Sequence, residues 1–218
     1  HGIIVLNVYN ERLLRLLAET QIPKVFLDTS SLVAPDELNG DLLLMESRTS
    51  VRRITCHLLE QGRTLPGFIG DISYAQSNRE RYEGFCQALA DAGKKVDSSL
   101  CLTTPLGIDT YREEIDTFLS SLSRMPDAFV CASDYVACIL MQLLEKRGLR
   151  VPEDVAVSGF DNNTEDLLAE HLTTVQVFNE ELGARLALQI LYRIKYPNTP
   201  HEITYLGTNV LYRDSTGD

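Results

Sequence analysis

The chain has 218 residues, 44% hydrophobic and 23% charged, a composition typical of one globular domain or of two modest lobes with a buried core. Its 20 basic and 31 acidic residues give a net charge of −11, which argues against a surface for nucleic acid or an anionic membrane. No stretch predicts a bilayer-spanning helix, and the N-terminus lacks the pattern of a signal peptide.

The cysteines predict neither a zinc site nor a disulfide framework, because their number is odd and no CxxC pair occurs. Four of the five lie in apolar runs, where a free thiol behaves as a small buried hydrophobe. This usage is typical of the reducing cytoplasm, which is the location we expect. The cysteines are Cys56, Cys86, Cys101, Cys131 and Cys138.

The first apolar run, Gly2–Leu6, predicts a fully buried strand at the very start of the chain. Buried parallel strands normally occur within a longer βαβ series, and nothing precedes this one to cover it. We therefore expect the chain to be a piece of a longer protein.

Short apolar strands alternate with amphipathic helices along the rest of the chain, which predicts an α/β fold with parallel sheets. Residues 29–40, rich in Ser, Pro, Asp and Gly, predict a loop. Further strands are predicted at 24–27, 65–69, 98–102, 128–132, 154–158 and 173–177. Helices are predicted at 11–19, 46–61, from a Ser77 cap to 92, 108–123, 134–147 and 180–194. A short helix is predicted after the turn at 159–163, and a β-ribbon over 202–213.

No motif for covalent, phosphate-transfer or metal chemistry appears. The sequence contains no GxxxxGK[ST], GxGxxG, GxSxG or HExxH, and its four histidines are scattered. The acidic pair Glu165 and Asp166 opens a predicted helix, where carboxylates favour the helix dipole. We therefore predict no catalytic residue, no metal ligand and no cofactor.

Polar residues instead follow several predicted strands, at the edge where α/β sheets bind their ligands. Asp28, the loop at 71–76, Ser133 with Asp134, and Asp161 all occupy such positions. Because no nucleophile–base pair accompanies them, this pattern favours binding over catalysis.

Several ordered motifs then resemble the lactose/galactose-repressor (LacI/GalR) family of bacterial transcription regulators. The late signature is VPEDVAVSGFDN (151–162), followed by LTTV (172–175). Upstream are GRTLPGFIG (62–70), SNRERYEGF (77–85) and PDAFVCASD (126–134), and VLYRDS (210–215) closes the chain. The resemblance covers essentially the whole chain.

The resemblance implies a periplasmic-binding-protein-like fold of two doubly wound parallel-sheet lobes with a ligand cleft between them. It implies an N-terminal lobe formed by residues 1–44 and 177–205, and a C-terminal lobe formed by 45–176 and 206–218. It further implies a helix-turn-helix head and a first part of the N-terminal lobe that are not in this sequence. The expected partners are a sugar or sugar derivative, operator DNA through that head, and a second copy of the chain.

The family's ligand contacts map onto particular positions. By the resemblance, Arg81 grips ligand oxygens, Asp161 accepts hydrogen bonds from hydroxyls, and Ser133 replaces the usual asparagine. Asp28 faces the cleft from the N-terminal lobe. The further predicted ligand-binding residues are Phe160, Phe178 and Tyr74.

Most of these residues also have a structural interpretation. Arg81 would pair on its own helix, Asp161 or Ser133 would cap the helix that follows, and Phe178 would be core. Val177 stands where sugar repressors often have a polar residue, which favours a ligand with fewer hydroxyls on that side or a different pose.

The leading hypothesis is therefore the effector-binding and dimerisation core of a sugar-responsive repressor that is not an enzyme. The alternative is a periplasmic sugar-binding protein of a transport system, which has the same fold. An enzyme acting on a sugar is a third class without a supporting motif.

Overall fold

The chain folds into two parallel β-sheets, each with helices on both faces. The computed structural model describes residues 1–107, 109–163 and 170–218. The strands are β1 (Ile3–Leu6), β2 (Lys24–Leu27), β3 (Asp41–Met45), β4 (Pro66–Ile69), β5 (Cys101–Leu102), β6 (Ala128–Cys131), β7 (Ala156–Ser158), β8 (Thr174–Gln176), β9 (Ile203–Leu206) and β10 (Asn209–Leu211). The helices are α1 (Glu11–Glu19), α2 (Arg48–Glu60), α3 (Gln76–Asp91), α4 (Tyr111–Ser121), α5 (Asp134–Lys146) and α6 (Asn179–Lys195). The predicted α/β class is confirmed.

The first sheet has the strand order β1-β2-β3-β9, and all its pairs are parallel. Successive side chains of a strand point to opposite faces. Phe26 of β2 accordingly packs with Leu14 of α1, whereas Val25 and Leu27 pack with Leu186 of α6. This sheet with α1 and α6 is the first lobe.

The second sheet has the order β5-β4-β6-β7 and is also parallel. Phe68 of β4 packs with Phe85 of α3, while Phe129 of β6 packs on the other face with Leu140 of α5. The antiparallel pair β8–β10 adds Val175 to the cluster around Phe68. These elements with α2 to α5 form the second lobe.

In the described part of the chain, three segments cross between the lobes. They connect β3 to α2, β8 to α6, and β9 to β10. The carboxyl ends of the strands in both sheets face the space between the lobes, which is where open α/β sheets bind ligands. The lobe boundaries at 44/45, 176/177 and 205/206 stay a prediction.

One sequence expectation about strands is wrong, and one strand was not predicted. The end of the chain is not a β-ribbon, because β9 pairs with β3 in the first sheet and β10 pairs with β8 beside the second. The run Asp41–Met45, for which the sequence pattern predicts no element, forms the strand β3. Buried on both faces, β3 lacks the alternation that marks a half-exposed strand.

Smaller differences concern capping and exposure. The N-cap of α3 is Ala75 rather than Ser77, whose side chain bonds to the other lobe. Ile4 and Leu6 of β1 are exposed, so this strand is not fully buried. Residues 98–100 form a 3₁₀ turn before the two-residue β5. The short helix predicted after 163, with Glu165 and Asp166, lies outside the described residues.

Candidate functional site

A polar cavity of about 660 Å³ lies between the two lobes, at the carboxyl ends of their strands. We call it the interlobe cavity. Five of the seven predicted ligand-binding residues line it: Asp28, Tyr74, Arg81, Ser133 and Asp161. The first of these comes from the first lobe and the other four from the second, so the fold brings together residues up to 133 positions apart in the sequence.

Arg81, in the second turn of α3, is 4% exposed, and its guanidinium is held on three sides. The group lies 3.6 Å from the centre of the Phe160 ring, an arrangement in which the aromatic face attracts the cation. It donates to the carbonyl oxygen of Ala132 and lies 3.5 Å from Oδ1 of Asp161. The Nε–H has no partner among the described residues. These contacts fix the guanidinium at the cavity wall.

Asp161 follows β7 in a turn whose backbone has a φ of 109°. Its amide donates to the carbonyl oxygen of Val175, which ties the turn to β8. The carboxylate faces the cavity, and its contact with Arg81 is its one side-chain hydrogen bond among the described residues. Burial raises the pKa of this carboxyl, and the neighbouring guanidinium opposes the rise. Asp161 therefore retains free acceptor sites toward the cavity.

Ser133 caps a helix at the edge of the cavity, and ligand contact by this residue stays a prediction. Its Oγ accepts a 3.3 Å hydrogen bond from the amide of Val136 and so caps α5, and the residue also lines the cavity. The next residue, Asp134, is buried and accepts from Thr174 Oγ1 and from the amide of Asn163. Burial raises the pKa of Asp134 to about 6. Its bonds support the turn that carries Asp161.

Asp28 lines the cavity, but both of its oxygens already accept hydrogen bonds from the protein. Oδ1 accepts from the amides of Thr29 and Ser77, at 2.8 and 3.3 Å. Oδ2 accepts from Ser77 Oγ at 2.6 Å and from the hydroxyl of Tyr9 at 3.2 Å. Since Ser77 belongs to α3, this carboxylate joins the first lobe to the second.

The chain around Asp28 forms further contacts between the lobes. Ser30 and Ala75 form an antiparallel bridge, and the amide of Gln76 donates to the carbonyl oxygen of Thr29 at 2.8 Å. On the other side of α3, the hydroxyl of Tyr205 on β9 donates to the buried Glu80 at 2.8 Å. Burial raises the pKa of Glu80. The start of α3 is therefore attached to the first lobe at several points.

Sequence reasoning missed Tyr9, which lies in the loop after β1 and lines the cavity. Its ring centre lies 4.4 Å from that of Tyr74 in the second lobe, at an interplanar angle of 46°. Burial and the carboxylate of Asp28 raise the pKa of the Tyr9 phenol. A tyrosine in a loop carries no sequence signal of such a contact, because its partner is 65 positions away.

The two predicted phenylalanines lie elsewhere. Phe160 is fully buried beneath Arg81 and does not line the interlobe cavity. Phe178, 40% exposed, lines a second cavity of about 300 Å³ beside the crossing segments, which we call the hinge cavity. Phe160 therefore orients the arginine, and Phe178 is not a core residue.

The described residues contain neither a candidate metal site nor a candidate membrane-spanning helix. They contain no group of three or more His, Cys, Asp or Glu side chains positioned to hold a metal ion. Among them, no helix combines the length and the apolar character that crossing a membrane requires.

Fold and cavity together define a class: two-lobed α/β domains of the periplasmic-binding-protein-like type, with a polar cavity between the lobes. Residues 55–216 match the model of the periplasmic binding protein-like domain family. The chain belongs to this family.

The relatives define the branch of the family more closely. The chain is 29% identical to the HTH-type transcriptional repressor PurR of Aliivibrio fischeri (strain MJ11), in a match that covers 98% of this chain and 64% of the repressor. It is 31% identical to the HTH-type transcriptional regulator DegA of Bacillus subtilis (strain 168), over 77% of this chain and 48% of that protein. The resemblance to LacI-family regulators is confirmed, and the chain spans less than two thirds of the length of these relatives.

A solved structure supports the same assignment. The structure of the transcriptional regulator CelR in complex with cellobiose superposes with a TM-score of 0.86 at 27% identity. The match covers 98% of this chain and 65% of that one. This chain therefore corresponds to the effector-domain portion of such regulators.

Proposed function

We propose that the chain is the effector-binding core of a bacterial transcription repressor that responds to a neutral sugar or sugar derivative. The observation that carries the proposal is the pairing of Arg81 and Asp161 at the cavity wall, where one donor group and one acceptor group face the same space. A sugar offers adjacent hydroxyls that donate and accept at once, and such a pair suits them.

Charge favours a neutral effector over a phosphorylated or carboxylated one. The charged residues that line the cavity, among those the structure describes, are Asp28, Asp71, Asp161 and Arg81. Three carboxylates against one guanidinium repel an anion, and the guanidinium already bonds to Ala132 and Asp161. The cellobiose of the CelR complex is a neutral sugar of the class proposed here.

Effector binding would act through the relative position of the lobes. A ligand that contacts Arg81 and Asp161 from one side and residues of the first lobe from the other stabilises one arrangement over the rest. It shifts an equilibrium only by its difference in affinity for the two arrangements. In the full-length protein, that shift would reach operator DNA through a helix-turn-helix head in a cytoplasmic homodimer.

The competing functions have less support. The named relatives are transcription regulators, which favours regulation over solute transport. Among the described residues that line the cavity there is no histidine, cysteine or lysine, and the Ser77 hydroxyl that donates to Asp28 is held in the contact between the lobes. We therefore propose binding without turnover.

A thermal-shift screen tests the proposal, using glucose, galactose, ribose, cellobiose and glucose 6-phosphate with the 218-residue chain. A neutral sugar at a hundred times its Kd should stabilise the protein by about 2.7 kcal/mol. Arg81→Ala or Asp161→Asn should weaken binding by about 10- to 100-fold, because each removes a charge-assisted hydrogen bond.

Arg79→Ala is the matched control, since Arg79 lies on the same helix and does not line the cavity. It should leave the affinity unchanged. Binding of glucose 6-phosphate in preference to every neutral sugar, or equal losses in all three variants, would contradict the proposal.

A further inference from the structure

The hinge cavity differs in chemistry from the interlobe cavity beside it. Its walls are mainly the apolar side chains of Met45, Val177, Phe178, Leu182 and Leu206, completed by Gly207, Thr208 and Glu181. At about 300 Å³ it has room for a group the size of one or two aromatic rings. It therefore suits an apolar guest, whereas the larger cavity suits hydroxyls.

The two cavities adjoin. Met45, Val177 and Leu182 line both of them. Val177 is the residue at which the sequence departs from the polar character expected of a sugar contact. An apolar residue here would leave a sugar hydroxyl without a partner, but it fits a ligand whose apolar part begins at this point.

The side chain of Phe178 exposes apolar surface within the hinge cavity. Although this residue precedes α6 and lies next to the buried Val177, its large side chain remains 40% exposed. Burying this ring against a ligand is favourable, because it removes apolar surface from water. The described residues leave that surface open within a cavity that joins the ligand site.

We propose that the hinge cavity binds the apolar substituent of the same effector whose hydroxylated part occupies the interlobe cavity. The effector class is then a glycoside with an aryl or similarly compact apolar group, and not a free sugar. This inference rests on the proposed function, and it adds that Phe178, Val177 and Leu182 determine specificity.

The hinge cavity lies at the connections between the lobes, so a substituent bound there would affect the relative position of the lobes. The hinge cavity is lined by Met45 at the end of β3, just before the first crossing segment, by Phe178 of the second segment and by Gly207 of the third. An apolar group bound there contacts two of the connections and the residue from which the remaining one begins. A ligand with the substituent would therefore favour one lobe arrangement more strongly than the sugar alone.

Matched ligand pairs test the inference by isothermal titration calorimetry on the 218-residue chain. The pairs are glucose with phenyl glucoside, galactose with phenyl galactoside, and xylose with phenyl xyloside. For the sugar that binds, its phenyl glycoside should bind at least about tenfold more tightly, since burial of one ring has this effect or a larger one.

Two variants test whether the additional affinity from the phenyl group arises in the hinge cavity. Phe178→Ala should remove most of the phenyl contribution and leave the affinity for the free sugar unchanged. Gly207→Leu should do the same by filling the cavity, because a Cβ at this glycine meets no atom within 4 Å. Gly183→Leu is its control, since that glycine has equal space but lines neither cavity.

The outcomes separate the inference from the proposed function. If free sugar and phenyl glycoside bind equally, or if Phe178→Ala and Gly207→Leu bind the glycoside like the unmodified chain, the inference is wrong and the sugar-sensing function stands. If no sugar or glycoside binds, both are wrong.

Discussion

The carboxylate of Asp28 accepts a 2.6 Å hydrogen bond from the hydroxyl of Ser77, and this bond joins the end of β2 in the first lobe to the first turn of α3 in the second. Both residues are buried, at 3% and 5% exposure. The sequence assigns Asp28 to ligand binding and Ser77 to a helix cap. In the structure the two side chains connect the lobes, and ligand binding by Asp28 stays a prediction.

We expect Ser77→Ala to destabilise the protein by about 1–3 kcal/mol, because a buried carboxylate loses its shortest hydrogen bond. Urea unfolding measures the loss, and hydrogen exchange should rise at residues 28–31 and 74–76. Ser99→Ala is the control: Ser99 makes an equally short bond to Asp97 within one exposed loop. Equal losses of stability in both variants would show that the bond between the lobes contributes no more than a surface hydrogen bond.

Effector affinity should depend on pH through Asp161. Burial raises the pKa of this carboxyl, and ligand hydroxyls donate to its ionised form. Affinity should therefore be constant at neutral pH and should fall as the pH drops through that raised pKa. Calorimetric titrations between pH 4 and 7 measure the effect.

Asp161→Asn should bind more weakly and should lose this pH dependence. Asp134 and Arg81 are the charged groups next to Asp161, and both remain in the variant. An unchanged pH profile in Asp161→Asn would assign the titration to another group. Asp154→Asn is the control, because this residue lies in an exposed turn away from the cavity; it should leave the affinity and its pH dependence unchanged.

We expect ionisation of the buried Asp134 to lower the stability of the folded chain as the pH rises. Burial raises its pKa to about 6 in the folded chain, from the ordinary value of 3.8. Between these two values the folded state holds a proton that the unfolded state has released. The free energy of unfolding should therefore fall with rising pH by up to about 1.4 kcal/mol per unit from this group. Asp134→Asn should flatten the denaturation profile over pH 4 to 6, and an identical slope would refute this assignment.

The ion pair of Arg193 with Asp41 should be essential for the first lobe. Both side chains are buried, and Nε and Nη2 of Arg193 bond to the two carboxylate oxygens. Arg193→Ala leaves that carboxylate without its counter-ion, which should cost about 3–5 kcal/mol in thermal or urea unfolding. The control Arg185→Ala removes a partly exposed contact of 3.9 Å to Glu202 and should cost under about 1 kcal/mol. A loss in Arg193→Ala no larger than in the control would contradict the prediction.

Periodicity predicts the helices of this chain well and its strands less completely. Helices such as α5 and α6 lie within one residue of their predicted bounds, because long amphipathic segments that end before a glycine (Gly148 after α5) or a proline (Pro197 after α6) leave few alternatives. The run Asp41–Met45 shows no alternation, because the strand is buried on both faces, and it was not predicted from the sequence. Likewise, nothing local shows that β9 and β10 belong to different sheets, since pairing depends on distant residues.

The candidate site was likewise predicted only in part from the sequence. Arg81, Ser133 and Asp161 follow from strand ends and family motifs, and the structure brings them to one cavity. The lobe contact made by Asp28 does not follow, because a strand-end aspartate looks the same whether its partner is a ligand or a serine 49 positions away. The role of Phe160 is hidden for a similar reason: only the folded chain places its ring beneath a guanidinium.

The contact between Tyr9 and Tyr74 also has a consequence for detection. The chain contains nine tyrosines and no tryptophan, so its ultraviolet fluorescence arises from tyrosine alone. Three of those tyrosines, Tyr9, Tyr74 and Tyr111, line the interlobe cavity. A molecule entering the cavity, or a change in the distance between the lobes, alters the environment of a third of the emitting groups. The protein therefore carries an intrinsic optical reporter of its own occupancy, which needs no dye or label.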